Sequence, residues 1–241
     1  GIYGAMGGMI TSIDDFAKYV ALHQAAWPER NDPENKVIKR STLREMHQPY
    51  TFIGLNANNQ FPSGKKLAIT TSYSYGLNWL HDADGKTMIG HSGGLPGFGS
   101  NWRFLPEYGL GVIFFANHTY APTSSLNTIV LDTLVQLANL KPREVVPSQI
   151  LIQRQKELVQ LLPSWENTGS IFAENFFDDY LLDELKSEAN QLFEQAGAIQ
   201  SIGKMIAENQ LRGYCILKGT KRNLKLSFTL SPENPALIQE Y

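Results

Sequence analysis

Apolar residues recur at helical spacing near the start of the chain, and they share one face of a predicted helix. They are Ile13, Phe16, Ala17 and Val20. Ser12 precedes this run, and Asp15 lies three residues after Ser12. This spacing is that of a capping box, in which the two side chains satisfy the first free backbone N–H groups of a helix. The pattern predicts an amphipathic helix that begins after Ser12.

A second capping-box pattern, Thr42 with Glu45, predicts a short helix that ends before Pro49, because the residue before a proline disfavours helical geometry. Residues 51–70 contain Gly, Asn, Pro and Ser without a sustained period. This composition predicts an irregular surface loop, and loops of this length are often functional.

Between residues 73 and 118 the apolar segments become short and rich in aromatic and β-branched residues. Turn sequences separate them at Asp84-Gly85 and at residues 106–109. We therefore expect an antiparallel meander of about three or four strands. The apolar residues of the segment that follows share one helical face, which is expected to pack against the sheet: Leu126, Ile129, Val130, Leu134, Leu137 and Ala138.

A change of pattern divides the chain. Residues 143–149 contain a proline and no period, which predicts a linker between a domain at 1–142 and a smaller one at 150–241. In the smaller domain, helical patterns at 150–162 and 171–197 precede strand patterns at 198–206, 210–218, 223–231 and 235–240. The predicted fold class is α+β, with an antiparallel sheet flanked by helices in the first domain and a second small α+β domain.

Composition excludes several functional classes. The 241 residues carry a net charge of -2, which gives no electrostatic basis for binding nucleic acid. The sequence shows no signal-peptide pattern and no apolar run of membrane-spanning length. The single cysteine, Cys215, lies in an apolar strand-like run that is typical of an inert buried thiol. The histidines lack metal-ligand spacing, so we expect neither a metal nor another cofactor.

The segment "GHSGG" at residues 90–94 fits the G-x-S-x-G pattern of a nucleophile elbow, with Ser92 as the nucleophile. An elbow requires a helix directly after the serine, whereas Pro96 and further glycines follow Ser92. Downstream, His118 is the only histidine and Glu107 the only acid between it and Ser92. An esterase of the α/β-hydrolase type is therefore a minor alternative, and a glycine-rich turn that only lets strands approach closely is another.

The segments "GAMGGMITSIDDFAKYV", "YGLNW" and "GHSGGLPGF" occur in this order. Together they resemble the C-terminal part of the serine β-lactamase and penicillin-binding-protein superfamily, over about residues 3–140. His91-Ser92-Gly93 is similar to the variant of the lysine-threonine-glycine motif found in the class C-related branch. The resemblance implies that His91, Ser92 and Gly93 line the substrate site and that Gly94 offers an oxyanion N–H. It also implies a small-molecule or peptide substrate and a bacterial extracytoplasmic location, periplasmic or membrane-associated.

The same superfamily carries its nucleophile in a Ser-x-x-Lys element at the start of a helix, and a Tyr-x-Asn or Ser-x-Asn element, both N-terminal to the region matched here. Ser63 and Lys66 fit Ser-x-x-Lys, but they lie in a Pro/Gly loop. Ser125 and Asn127 fit Ser-x-Asn within the predicted C-terminal helix, where capping and solvent contacts explain them. We expect no catalytic residue in this chain and a nucleophile encoded upstream.

Two functions therefore stay open. In the first, the chain is the C-terminal portion of a β-lactamase, D-alanyl-D-alanine carboxypeptidase or esterase, inactive alone. In the second, it is a non-catalytic protein that binds a ligand or partner through the same fold. Under the first, the incomplete sheet leaves an edge unpaired, which predicts self-association of the isolated chain.

The domain at 150–241 resembles nuclear-transport-factor-like or cystatin-like modules, in which a curved antiparallel sheet wraps around a helix. Its candidate features are Arg212, Tyr214 and Cys215 on one predicted strand. No catalytic residue is predicted there, and the resemblance implies a bound ligand or a partner domain.

Overall fold

A computed structural model describes residues 1–2, 4–30, 32–34, 37–166, 168–169 and 171–241. These residues form two compact units, Gly1–Arg143 and Glu144–Tyr241. The boundary falls at the start of the segment that the sequence predicts as a linker. No helix in the described ranges is both long enough and apolar enough to cross a membrane.

The first unit contains a meander of strands that follows short helices and precedes a longer one. The helices are α1 (Gly4–Gly7), α2 (Ile13–Gln24), α3 (Arg40–Met46) and α4 (Thr123–Leu137). The strands are β1 (Thr51–Asn56), β2 (Ile69–Ser74), β3 (Leu77–Asp82), β4 (Thr87–Leu95), β5 (Phe98–Leu105) and β6 (Leu110–Ala116). Sequential strands are antiparallel neighbours, in the order β1-β2-β3-β4-β5-β6.

The sheet is larger than the sequence predicts, because it has six strands and not three or four. The prediction of an irregular loop over residues 51–70 is wrong at both ends, where β1 and the start of β2 pair. β1 is an edge strand, and Phe52, Ile53 and Leu55 are largely exposed. Its residues therefore show no alternation of burial, which removes the period that identifies a half-buried strand. β1 is a strand because its backbone pairs with β2.

The helix caps agree with the sequence in one case and differ in the other. Ser12 caps α2, and its side chain accepts a hydrogen bond from the backbone N–H of Asp15 at 3.1 Å. In α3, by contrast, the helix begins at Arg40 with Lys39 as N-cap, so Thr42 and Glu45 lie inside it and form no capping box. Burial of Arg40 and Leu43 sets the position of this helix.

Helix α4 is present as predicted, but the opposite face packs on the sheet. The buried face carries Thr123, Asn127, Thr128, Leu131 and Asp132. The predicted core positions are partly or largely exposed, from 37% at Ile129 to 81% at Leu137. The sheet beneath presents polar side chains that hydrogen-bond the buried polar face, and these partners override the apolar pattern of the helix.

Each face of the sheet carries its own apolar cluster. One joins Phe16 and Val20 of α2 to Leu77, Ile89, Trp102 and Phe104 of the sheet. The other joins Leu131 of α4 to Phe61, Met88 and Leu105. Because side chains alternate along a strand, neighbours such as Phe104 and Leu105 contribute to opposite faces.

The second unit places helices before an antiparallel sheet, as the sequence predicts. The helices are α5 (Gln149–Leu161), α6 (Phe176–Asp179) and α7 (Leu182–Ala196). The strands are β7 (Ile199–Ile202), β8 (Ile206–Ala207), β9 (Arg212–Gly219), β10 (Asn223–Leu230) and β11 (Ile238–Glu240). The order β11-β10-β9-β7, with β8 also paired to β9, gives five strands.

The second unit has a single large apolar core built from both layers. Leu224, Leu226, Phe228 and Leu230 alternate with exposed or half-buried residues, so strict alternation in β10 identifies the buried face correctly. The helical pattern at 171–197 divides into α6 and α7, since Tyr180 and Leu181 are extended between them. The predicted strand at 198–206 likewise divides into β7 and β8.

Candidate active site

The predicted site residues His91, Ser92, Gly93 and Gly94 lie on β4, where this strand extends past its neighbour. β3 pairs with residues 87–90 of β4 only, whereas β5 pairs with residues 89–95. In the described part of the chain, no strand therefore pairs with the second edge of residues 91–95. Alternate backbone N–H and C=O groups of an antiparallel strand point to each edge, so this segment has unpaired groups available to a ligand.

His91 and Ser92 present their side chains to opposite faces of the sheet. His91 lies opposite Trp102 in the pairing with β5, and Ser92 lies opposite Asn101. An imidazole base and a serine hydroxyl on opposite faces cannot form the hydrogen bond that activates a nucleophile. Ser92 is also followed by strand and turn instead of helix, so the geometry of a nucleophile elbow is not formed.

Tyr73 fixes the orientation of the His91 ring. His91 Nδ1 lies 2.6 Å from the carbonyl oxygen of Ser92, and Nε2 lies 3.0 Å from the Tyr73 hydroxyl. A carbonyl oxygen only accepts, so Nδ1 carries the hydrogen and, in the neutral ring, Nε2 accepts from the Tyr73 O–H. Tyr73 and His91 therefore form a hydrogen-bonded pair beside the unpaired edge of β4.

Two glycines allow close approach to this segment. A Cβ at Gly90 would collide with the backbone carbonyl of Trp102, and a Cβ at Gly94 would collide with the ring of Tyr120. Tyr120 has a φ of 49°, in the left-handed region, and its N–H donates to the carbonyl of Phe98 at 3.3 Å. The loop after β6 is thus held against the backbone of residue 94.

A cavity of about 280 Å³ opens beside the segment, in the first unit. Its apolar wall includes Ile53, Leu80 and Met88. Its polar lining consists of Thr71, Ser72, Asn78, His91, Ser92, Asn101, Arg103 and Ser124, and it also includes Gly90 and Trp79. This combination of an apolar wall with a few polar groups is typical of sites for small ligands.

Arg103 and Asn101 project from β5 toward α4. The Arg103 guanidinium donates to Thr128 Oγ1 at 2.7 Å and to Ser124 Oγ at 2.5 Å. Burial lowers the pKa of Arg103 from its ordinary value. Asn127 Nδ2 donates to Asn101 Oδ1 at 2.9 Å and to the Asn101 backbone carbonyl at the same distance. These contacts explain why the polar face of α4 is buried.

Comparison with known proteins identifies the relationship. The sequence model of the beta-lactamase family matches residues 1–135, more than half of the chain. The chain belongs to the beta-lactamase family. No curated protein matches the sequence. The structure of the octameric penicillin-binding protein homologue from Pyrococcus abyssi is similar over 92% of this chain, at 13% identity and a TM-score of 0.41, and this chain spans 38% of that one.

Within this beta-lactamase-family unit, the candidate nucleophile elements fall in unsuitable places. Ser63 and Lys66 flank a turn between β1 and β2, and no helix links them. Lys65, beside them, forms an ion pair with Asp84 at 2.5 Å. Asn127 of the Ser-x-Asn match is fully buried against Asn101, so the interpretation that solvent contacts explain it is wrong.

Two further histidines form a buried hydrogen-bond chain that sequence spacing does not reveal. Trp27 Nε1 donates to His47 Nδ1 at 2.9 Å, and His47 Nε2 lies 2.8 Å from His23 Nδ1. An indole N–H only donates, so neutral His47 donates to His23, whose own Nε2 is buried without a partner among the described residues. Burial lowers the pKa of His23 to about 4 and that of His47 to about 3.

Mainly structural contacts surround two tryptophans on the strands near His91 and the candidate residues of the second unit. Trp102 is buried in the cluster beneath α2, whereas Trp79 is half-buried and also lines the cavity. In the second unit Cys215 is fully buried, and burial raises the pKa of its thiol. Lys225 lies over the ring of Tyr214, with Nζ 4.2 Å from the ring centroid.

Sequence reasoning missed Tyr73 and Arg103. Tyr73 comes from a different strand, and the register of the β2–β3–β4 pairs places it level with Gly90, beside His91. Arg103 carries a signal in the sequence, because it stands between Trp102 and Phe104 in a strand that is otherwise apolar at this end. A charged residue at such a position indicates either a solvated face or a polar site.

Proposed function

We propose that this chain supplies the substrate-binding side of a serine hydrolase of the β-lactamase and penicillin-binding-protein type, in the class C-related branch. The substrate is then a small molecule or peptide with an amide or ester bond. The observation that carries the proposal is the unpaired edge of residues 91–95 beside the cavity. His91 and Ser92 line that place, and Gly93 and Gly94 provide bare backbone.

The backbone of this segment suits the chemistry of acyl transfer. Attack on a carbonyl places negative charge on its oxygen, and backbone N–H groups in a fixed orientation stabilise that charge. The Gly94 N–H is assigned this oxyanion role by family resemblance, and the contact of Tyr120 with Gly94 holds the segment in place. In this assignment Ser92 binds substrate and does not attack.

The nucleophile is assigned to a segment outside these 241 residues. In the described ranges, no helix links Ser63 to Lys66, and the His91 ring lies on the opposite face of the sheet from Ser92. Family members use a Ser-x-x-Lys element on a helix, and an added segment of that kind would occupy the open side of the site. An extracytoplasmic location, as the family generally has, is part of the same proposal.

Two uncovered surfaces support an added segment. β6 lies at the end of the sheet, with the apolar sequence "LGVIFFA", no charge and no register shift in its pairing to β5. The exposed apolar stripe of α4, which packs against β5 and β6, carries Leu126, Val130, Leu134 and Leu137. Edge strands without charge or irregularity pair readily, so the isolated chain is expected to self-associate there.

We propose that the second unit is an accessory domain, 150–241, joined through 143–149 to the domain at 1–142. Its helices and antiparallel sheet support an assignment to nuclear-transport-factor-like or cystatin-like modules. Its role is to bind a ligand or a partner domain.

Intact-mass measurement tests the proposal. The chain is incubated with a fluorophosphonate and, separately, with a penicillin, alone and after co-expression with the segment encoded upstream. We expect no adduct on the chain alone and an adduct on the upstream segment in the complex.

Each control separates one alternative. An adduct on the isolated chain that Ser92→Ala abolishes would contradict the proposal in favour of the elbow, and one that Ser63→Ala abolishes would place the nucleophile in the loop. A stable complex without any adduct would favour the non-catalytic binding protein. Sedimentation velocity of the chain alone checks self-association, which should decrease when the upstream segment is bound.

A further inference from the structure

We propose that the second unit carries a docking surface for an anionic lipid bilayer, formed by the β9–β10 hairpin and the outward face of its sheet. The inference goes beyond the accessory role proposed for this unit, since it names the partner. It is independent of the hydrolase proposal, because no residue of the site beside β4 takes part in the docking surface.

Charge is divided between the two layers of the second unit. Residues 144–198, which contain the helices, include ten Asp or Glu and three Lys or Arg. Residues 199–241, which contain the strands β7 to β11, include six Lys or Arg and three Glu. The net charge of the whole chain, -2, conceals this separation. An anionic surface therefore attracts the sheet layer and repels the helical layer, which orients the unit.

The positive charge is most concentrated in the β9–β10 hairpin. Its segment 218–225, "KGTKRNLK", contains four cations and no acid. They are Lys218, Lys221, Arg222 and Lys225. All four are exposed, and the ion pairs found in the described part of the second unit involve Arg154 and Arg212 instead. The cations of the hairpin are thus not neutralised within the protein and are available to an anionic partner.

The tip of the hairpin is fixed to the end of α7. The N–H of Thr220 donates to the carbonyl of Ala198 at 3.0 Å, and the N–H of Lys221 donates to the carbonyl of Ala196 at 2.9 Å. Because this backbone is already ordered, the positions of the cations are largely set before a partner binds. Binding then costs little conformational entropy of the chain.

The outward face of the sheet joins apolar side chains to these cations. Burial alternates along β9, and Tyr214, Ile216 and Lys218 share the outward face. Lys225 lies opposite Ile216, and Ile206 lies opposite Tyr214, in the pairing with the neighbouring strands. Ile206 is 48% exposed. Apolar groups bordered by lysines suit a bilayer surface, where the apolar side chains enter the interface and the ammonium groups meet the lipid phosphates.

The same features favour lipid over nucleic acid. Lys225 Nζ lies over the Tyr214 ring, 4.2 Å from its centroid, so that face of the ring is not free to stack on a base. Three of the four hairpin cations are lysines, whose compact hydrated charge suits a diffuse anionic surface, whereas an arginine fork recognises individual phosphates. Exposed Ile206 gains free energy from contact with acyl chains but not from contact with a phosphate backbone.

The test is co-sedimentation of the full chain with vesicles of phosphatidylcholine and phosphatidylglycerol in equal amounts. Vesicles of phosphatidylcholine alone are the uncharged reference. We expect binding to the mixed vesicles only, and it should weaken as salt rises from ~0.1 M to ~1 M, because the Debye length shortens from about 10 Å to about 3 Å. Lys218→Gln with Lys225→Gln should weaken binding about 10- to 30-fold, since each lysine near an anionic surface contributes roughly fivefold.

Lys156→Gln with Lys186→Gln is the matched control, because it removes the same charge from the helical layer. It should bind mixed vesicles like the unchanged chain. Equal binding to uncharged vesicles, absence of binding, or equal losses in the two double variants would overturn the proposal. Tighter binding of duplex DNA than of mixed vesicles would overturn the choice of lipid. Salt-sensitive self-association that Lys218→Gln with Lys225→Gln abolishes, without vesicle binding, would assign the surface to the acidic layer of a second copy.

Lysine acylation of the unchanged chain locates the surface without any variant. The chain reacts with an N-hydroxysuccinimide ester, and peptide mass spectrometry follows each lysine. Mixed vesicles should slow the acylation of Lys218 and Lys225 and leave that of Lys156 unchanged. Equal protection of Lys156, or no protection at all, would contradict the docking surface.

These outcomes are distinguishable from those of the adduct experiment. Vesicle binding needs no nucleophile, so it can be observed where no adduct forms. If mixed vesicles bind and the complex with the upstream segment forms no adduct, the docking surface stands and the hydrolase proposal fails. Should the adduct form without vesicle binding, only the docking surface is refuted.

Discussion

The two faces of the six-stranded sheet are built on different principles. Under α2 and α3 the sheet presents an aromatic and aliphatic surface that includes Ile89, Trp102 and Phe104. Under α4 it presents Asn101 and Arg103, and the turn before β4 adds Lys86. The first face is held mainly by apolar area removed from water, whereas on the second face hydrogen bonds and an ion pair add to the apolar cluster around Leu131.

The difference suggests that the two faces have different roles, stability for the face under α2 and binding for the face under α4. Apolar packing is non-directional and fills space closely, so the face under α2 contributes mainly to stability. Polar side chains hold their partners in defined directions, and where a partner is lacking they leave donors for one. The cavity with Ser92, Asn101 and Arg103 therefore belongs with the polar face, while His91 stands at the end of the aromatic one.

The largest effect is expected on the aromatic face. Phe104 is fully buried and stacks on Trp102 with ring centroids 6.2 Å apart. Phe104→Ala should lower the free energy of unfolding of the first unit by about 3–5 kcal/mol, because it leaves a cavity. Urea unfolding followed by near-ultraviolet circular dichroism measures this. Phe52→Ala, on an exposed β1 position, should change it by less than about 0.5 kcal/mol.

The buried histidines add a pH dependence to the same face. The pKa values of His23 and His47 fall from 6.5 to about 4 and about 3 on folding. The unfolded chain therefore binds more protons below about pH 6.5, and the free energy of unfolding should decrease by on the order of 3 kcal/mol for each histidine from pH 7 to pH 4. The contribution is fully present above pH 6.5 and is lost as the pH falls.

The double variant His23→Gln with His47→Gln removes both titrating groups. Its free energy of unfolding should vary less with pH than that of the unchanged chain across this window, as measured by urea unfolding at successive pH values. Parallel pH profiles for the two proteins would contradict the assigned role of the pair.

On the polar face, the Lys86–Asp132 ion pair allows a test in which a polar interaction is first broken and then replaced by apolar contact. Asp132→Leu leaves Lys86 with Asp82 Oδ2 at 4.0 Å, so the expected loss is about 2 kcal/mol, below the range for fully buried pairs. Adding Lys86→Met should restore stability to within about 1 kcal/mol, since two apolar side chains then pack together. A double-mutant cycle in urea measures the coupling; additive losses would show that the pair does not interact.

The smallest effect concerns the apolar stripe of α4. Leu137→Ser should change the free energy of unfolding by less than about 0.5 kcal/mol, because Leu137 is 81% exposed, and it should reduce self-association. Leu131→Ser, at a fully buried position on the other side of the same helix, should cost at least about 3 kcal/mol. A larger loss for Leu137→Ser than for Leu131→Ser would mean that the orientation of α4 is reversed, and equal losses would contradict the assigned difference in burial.

Local signals along the chain are sufficient to identify several elements. The N-cap Ser12 marks the start of α2, the Asp84-Gly85 turn joins β3 to β4, and alternation in β10 identifies its buried face. The resemblance to the family seen in the sequence rests on the same kind of local pattern, as residues 91–94 illustrate. Backbone capping, turn geometry and period depend on neighbours in the chain, so they can be read without the fold.

Which surfaces meet depends on packing between elements that are distant in the chain. The pairing of β1 with β2, the burial of the polar face of α4, and the contact of Tyr73 with His91 join residues from separate elements. An apolar stripe on a helix favours burial of that face, but the free energy of the whole packing determines which face is buried. Unsatisfied polar groups between sheet and helix would cost more than exposed leucines. The contacts of Arg103 with its hydroxyl partners therefore become visible only when β5 and α4 are brought together.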